Sequence, residues 1–181
     1  EFDPLIMSVG VFRTGRAPRF MAKESLFRTP VVGWVLRSTG MVPVARAGGA
    51  AGAKQTMSAA RTLADNGRGV IVYPEGTLTR EPDLWPMRGK SGAVRLAIAA
   101  QAPLIPVAHW GAQEIMPRYG KFRITALRRP VTLRYGDPVD LSDFFGREQD
   151  ATALNEATDR VMAAIAALLS DLRGEPAPAT R

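Results

Sequence analysis

Gly69-Val70-Ile71-Val72-Tyr73-Pro74-Glu75-Gly76-Thr77 decides how this chain folds. Val70 to Tyr73 predict a buried strand, and Pro74, with no N–H to give a sheet ladder, predicts where it stops. Gly76 lets backbone N–H groups approach a ligand without a Cβ in the way. A strand end that carries Glu75-Gly76-Thr77 is a place to hold an oxyanion or a polyol hydroxyl.

Working outward, strands and helices alternate. Before the opening stretch, Pro4 to Arg13 predict a helix started by Asp3 as N-cap and proline at the first helical position. Arg19 to Lys23 predict a strand, and Pro30 to Thr39 an apolar helix closed by Gly40. A second strand covers Met41 to Ala45 and ends at Arg46. Residues 47–53 are a loop, and Lys54 to Asn66 an amphipathic helix with Met57, Ala60 and Ala64 on one stripe. After the opening stretch, residues 74–90 form a loop longer than the usual connection, a functional hint in itself. Ser91 caps a helix to Ala100, Leu104 to His109 is a strand, and Pro130 to Tyr135 another. Thr152 to Arg173 is a long helix with Leu154, Ala157, Val161, Ile165, Leu168 and Leu172 on its apolar face. This order predicts an α/β fold, a mostly parallel β-sheet flanked by helices. In such sheets ligands sit beyond the carboxyl ends of the strands, where Arg46 and Glu75-Gly76-Thr77 fall.

Composition narrows the function classes. The 181 residues are one domain by length, with 46% hydrophobic content. No apolar run approaches the ~18 residues of a membrane span, and nothing resembles a signal peptide. The chain has no cysteine, which excludes disulfides, thiolate metal sites and a thiol nucleophile. The net charge of +7 is uneven. Residues 1–60 carry eight Lys or Arg against Glu1, Asp3 and Glu24, whereas residues 121–181 carry nine of each sign. An anionic partner on the N-terminal part follows. Nucleic acid is the weakest such partner, because the aromatics are few and not interleaved with basic residues.

Asp3-Pro4, Gly40-Met41-Val42-Pro43-Val44-Ala45-Arg46, Tyr73-Pro74-Glu75-Gly76-Thr77-Leu78-Thr79 and Pro103-Leu104-Ile105-Pro106-Val107-Ala108 stand in a telling order. They resemble the four blocks of the glycerophospholipid acyltransferases, above all the 1-acyl-sn-glycerol-3-phosphate acyltransferases, over most of residues 1–111. The family's first block reads Asn-His-x-Ser-x-x-Asp-Pro, and Asp3-Pro4 look like its end. Pro18 to Phe27 and Gly33-Trp34 are also similar to the bacterial members.

The resemblance implies direct acyl transfer from an acyl-CoA or acyl-carrier-protein thioester to the free hydroxyl of a lysophosphatidate, giving phosphatidic acid. A His is the general base and Asp3 orients it. Arg46 grips the phosphate, and Glu75, Gly76 and Thr77 place the glycerol. It implies no cofactor and no metal. The His of the first block falls ahead of Glu1, so residues 1–174 are expected to be an acyltransferase domain lacking that segment, inactive as it stands, with 175–181 a disordered tail. The family's Arg after Glu-Gly-Thr is Leu78 here; Arg80, Arg88 or Lys90 could replace it. The partners implied are a lysophospholipid, the thioester donor and an anionic membrane surface, on the cytoplasmic face of the cell membrane. Another lysolipid or glycolipid acceptor, or a catalytically silent lipid-binding module, is the alternative.

Several residues have plainer readings. His109, the only histidine, ends an apolar strand beside Trp110, where a packing role is expected. Gly89-Lys90-Ser91 lacks the earlier glycine of a P-loop, since position 84 is Leu84. The basic segment Arg118, Lys121, Arg123, Arg128, Arg129 and Arg134 reads as a solvated face that could also meet anionic head groups. Leu26-Phe27-Arg28 and Trp34-Val35-Leu36-Arg37 mix apolar and cationic residues as membrane-surface elements do, and core packing explains them equally.

Overall fold

The computed structural model describes residues 3–44, 58, 61–62, 65–117, 129–147 and 149–178. Contacts gather in two compact units, one of residues 7–72 and one of residues 1–6 with 73–181. The predicted α/β class holds.

Helix α1 (Asp3–Arg13) begins at Asp3 itself. The carboxylate therefore sits in the first turn, where the helix dipole favours an anion. In the first unit, β1 (Met21–Lys23) pairs in parallel with β2 (Val42–Val44), with Ala22 opposite Pro43. Proline is tolerated in β2 because the strand has a partner on one side among the described residues. On the other flank of β1, Phe20 meets Ile71 in a parallel bridge, with the Ile71 N–H donating to the Arg19 carbonyl at 2.7 Å. Between the strands run α2 (Glu24–Phe27) and α3 (Pro30–Ser38). A Cβ on Gly33 would run into the Phe27 backbone carbonyl, so only glycine lets these two helices approach. Gly40, at φ 74°, ends α3 as expected.

The strand expected over Val70 to Tyr73 is shorter than its composition suggests: among the described residues only Ile71 forms a β-bridge. Apolar content marks burial, but Tyr73 and Pro74 already belong to a turn, closed by the Gly76 N–H on the Tyr73 carbonyl at 3.1 Å. Of the helix expected over Lys54 to Asn66, residues 58, 61, 62 and 65 are helical. Its stripe of Met57, Ala60 and Ala64 lies outside the described residues.

In the second unit, α4 (Gly92–Ala100) follows Ser91, which precedes the helix without a side-chain capping bond. The cap expected there is therefore positional only. β3 (Val107–Trp110) pairs antiparallel with β4 (Thr132–Tyr135), His109 opposite Leu133. The short α5 (Ala112–Ile115) follows β3, and α6 (Ala151–Arg173) is capped by Asp150, whose carboxylate accepts the Thr152 and Ala153 N–H groups. One core joins α4 and α6 through Val94, Ile98, Phe144, Leu154, Ala157 and Val161. A second joins Trp85 and Ala108 to Leu169, with Trp110, Leu168 and Leu172 packed on it. Leu154 is 1% exposed. Leu154→Ala should cost about 2–5 kcal/mol and lower Tm by roughly 2–4 °C per kcal/mol in a chain of this size, which a thermal melt will read.

Of the basic segment, Arg118, Lys121, Arg123 and Arg128 lie outside the described residues. Arg129 pairs with Glu114 at 3.5 Å and Arg134 with Asp171 at 3.1 Å, both on the surface. No helix among the described residues is long and apolar enough to cross a membrane.

Candidate active site

Of the residues expected to carry chemistry, Asp3, Glu75, Gly76, Thr77, Arg80 and Lys90 belong to the unit of residues 1–6 and 73–181. Gly76 takes φ 68°, a conformation that a side chain resists, and so turns the chain sharply after Glu75. The Lys90 N–H donates to the Pro74 carbonyl at 2.8 Å, which pins the end of the long loop beside its beginning. The Lys90 side chain then lies over the turn, its Nζ 3.0 Å from where a Cβ on Gly76 would sit. Gly89, next to it, is pressed against Met162 and Thr158 of α6 with no space for a side chain.

Glu75 is half-buried, and its Oε2 has no hydrogen-bond partner among the described residues. Burial raises its pKa, opposed by a hydrogen bond from the Met87 backbone and reinforced by Glu81. An acceptor oxygen left without a donor is costly in the folded protein and is made good by a ligand that donates one. The raised value also fixes a sign. The folded state favours the protonated carboxyl, so its contribution to stability is complete below the ordinary value of 4.5 and is lost as pH rises through the folded value. Glu75→Gln should therefore melt above the wild type at pH 8, and the gap should close on acidification, as melts at several pH values will show.

Asp3 faces two groups. Its Oδ1 is 3.5 Å from His109 Nε2, and its charge, after burial, holds the Tyr73 phenol well above its usual pKa. Burial lowers the His109 pKa while Asp3 raises it, and the ring's Nδ1 is buried without a partner among the described residues. Thr77 and Arg80 are exposed on the same loop, with the Arg80 N–H directed at Met87 Sδ at 3.2 Å. Arg46 lies outside the described residues.

The far end of the loop is clamped by α6. The Arg173 guanidinium stacks between Trp85 at 4.4 Å and Trp110 at 4.5 Å, donates to the Asp83 carbonyl at 2.6 Å and pairs with Glu175 at 2.8 Å. Arg173→Ala should cost about 1–3 kcal/mol and speed amide exchange around Leu84, measured by hydrogen–deuterium exchange.

Sequence reading missed the nearness of Tyr73 and His109 to Asp3. A signal existed for His109: on a strand whose Ala108 and Trp110 pack one way, residue 109 must point the other.

A family model described as Acyltransferase matches residues 1–110. The chain is 28% identical over 148 residues to a chloroplastic 1-acyl-sn-glycerol-3-phosphate acyltransferase of Brassica napus, covering 78% of this chain and 41% of that protein. It is 29% identical over 125 residues to the 1-acyl-sn-glycerol-3-phosphate acyltransferase of Streptococcus pneumoniae, covering 68% and 41%. Among solved structures it is similar to the 1-acyl-sn-glycerophosphate (LPA) acyltransferase PlsC from Thermotoga maritima, at TM-score 0.52 and 27% identity, over 82% of this chain and 56% of that one. The chain spans about four tenths of the length of the curated relatives it matches. The family match takes in both Asp3 and the Glu75 turn and runs through β3 to Trp110, most of the chain's length, and on that ground the chain belongs to the acyltransferase family.

Proposed function

We propose that the protein transfers an acyl group from an acyl-CoA or acyl-carrier-protein thioester to the free hydroxyl of 1-acyl-sn-glycerol 3-phosphate, giving phosphatidic acid. The observation that carries this is the pairing of a cation and an acceptor on one turn. Lys90 Nζ lies over Gly76 while Glu75 Oε2 stands buried with no donor among the described residues. Glycerol hydroxyls donate to the carboxylate and the phosphate meets the ammonium, in place of the arginine that Leu78 does not supply. The curated names of the relatives point the same way.

The general base is the His expected ahead of Glu1, with Asp3 orienting it and stabilising its imidazolium. It takes the hydroxyl proton as that oxygen attacks the thioester carbonyl. The carbon–sulfur bond breaks, and the departing thiolate takes the proton back from the imidazolium. No bond to the protein forms, and no cofactor enters.

Both substrates are amphiphiles, and two exposed apolar stripes suit a lipid surface. On α1, Leu5, Val9 and Phe12 are exposed, Phe12 by 72%; on α3, Val31, Trp34 and Val35 are, Trp34 by 67%. Arg28 and Arg37 flank the α3 stripe with cations for anionic head groups. Trp34→Glu should weaken binding to vesicles containing anionic lipid by about 100-fold, the loss of one lipid-buried aromatic plus a repulsive charge, as a sedimentation assay will measure. The activity itself is tested by thioester-dependent acylation of lysophosphatidate by the full-length protein. Binding without transfer to any lysolipid, from either donor, would make the silent lipid-binding module the better reading.

A further inference from the structure

We propose that His109 is a positioning residue for Asp3, its Nε2–H directed at Oδ1 so that the second carboxylate oxygen is presented to the catalytic base. This rests on the acyltransferase reading above and adds to it a residue that the family's motif does not contain.

The placement follows from the strand. Ala108 and Trp110 on β3 pack toward α6 through Trp85 and Leu169, so alternation sends His109 to the opposite face, where Asp3 opens α1. Gly111 then stops the strand at φ 107°, where a Cβ would meet the Pro130 carbonyl. The His109 side chain is 23% exposed and that of Asp3 29%, so water reaches both only partly. Their 3.5 Å separation is long for a hydrogen bond, and catalytic contacts of this kind commonly tighten once substrate is bound. A neutral imidazole has one N–H. Nε2 faces a carboxylate and Nδ1 faces no acceptor among the described residues, so the proton belongs on Nε2. A buried lone pair on Nδ1 is the cheaper group to leave without a partner.

Two other roles make different predictions. A packing histidine is indifferent to Asp3. A histidine acting as base loses its function in any variant that cannot take up a proton. A donor to Asp3 is replaced by glutamine, whose amide N–H extends to nearly the same place.

The test pairs kinetics with NMR. In the full-length protein, His109→Ala should lower kcat for lysophosphatidate by up to about 100-fold with KM little changed, the scale of a displaced catalytic group. His109→Gln should recover most of that rate, and adding His109→Ala to Asp3→Asn should lower it no further. His109 is the one histidine of residues 1–181, and in the full-length protein its imidazole titration is assigned as the signal that His109→Ala removes. Asp3→Asn should move that titration to lower pH, because the anion that favours the imidazolium is gone. An unmoved titration, a wild-type rate in His109→Ala, or a glutamine variant as slow as the alanine one overturns the proposal. A shifted titration in a wild type that acylates no lysolipid leaves the contact in place, and overturns both the acyltransferase reading and the role built on it.

Discussion

Asp3→Asn in the full-length protein is expected to lower kcat for acylation of lysophosphatidate by about 10³–10⁴-fold while KM stays near the wild-type value. The amide keeps the size and one acceptor oxygen but loses the charge that steadies an imidazolium. Where a carboxylate orients a catalytic histidine, exchanging it for an amide has a cost of this order, because the ring is held in the wrong tautomer. Asparagine also suits the start of a helix as well as aspartate does. If Asp3 served only to begin α1, the variant would fold and turn over normally. A kcat unchanged within a few-fold would therefore remove Asp3 from the mechanism, and an unaltered melting curve would show that any loss is chemical.

The second large effect is on binding. Lys90→Met should raise KM for lysophosphatidate by about 10–100-fold, the worth of one charge-assisted contact to a phosphate, with kcat much less affected. Lys90 is exposed, and its side chain crosses the Gly76 backbone where bulk would be excluded. Methionine keeps the apolar stem and removes only the ammonium. The control is a monoacylglycerol, which has no phosphate: its KM should not respond to the substitution. Equal effects on both acceptors would mean that Lys90 shapes the turn without touching phosphate, and Arg80, Arg88 or Arg46 would take its place as the cation.

Much of the fold was legible because local rules and tertiary context agree. Asp3-Pro4, Pro30 and Gly40, and the apolar stripe from Leu154 to Leu172 mark helix ends and faces in ways that one chain reveals by itself. The stretch from Val70 to Tyr73 was over-read as a strand because burial and pairing leave the same apolar trace. Only the partner backbone shows that, among the described residues, Ile71 is the one position of this stretch in a β-bridge. Ser91 has the composition of a cap, yet its side chain makes no capping bond.

At the site, the resemblance to the family's blocks named Asp3, Arg46, Glu75, Gly76 and Thr77 as candidates and left Arg80, Arg88 and Lys90 as equal choices for the replacement cation. The sequence by itself determined the α/β class and membership in the family, because motifs in order along a chain need no coordinates to be seen. The tertiary structure alone decided that Lys90 lies over the Gly76 turn and that Asp3 meets His109. Residue 3 and residue 109 are remote along the chain, and pairing across such a separation is set by packing of the whole unit, which no local pattern encodes. The depressed histidine and the raised carboxyl of Glu75 follow from the same cause: burial is a property of the folded surface, not of the residue.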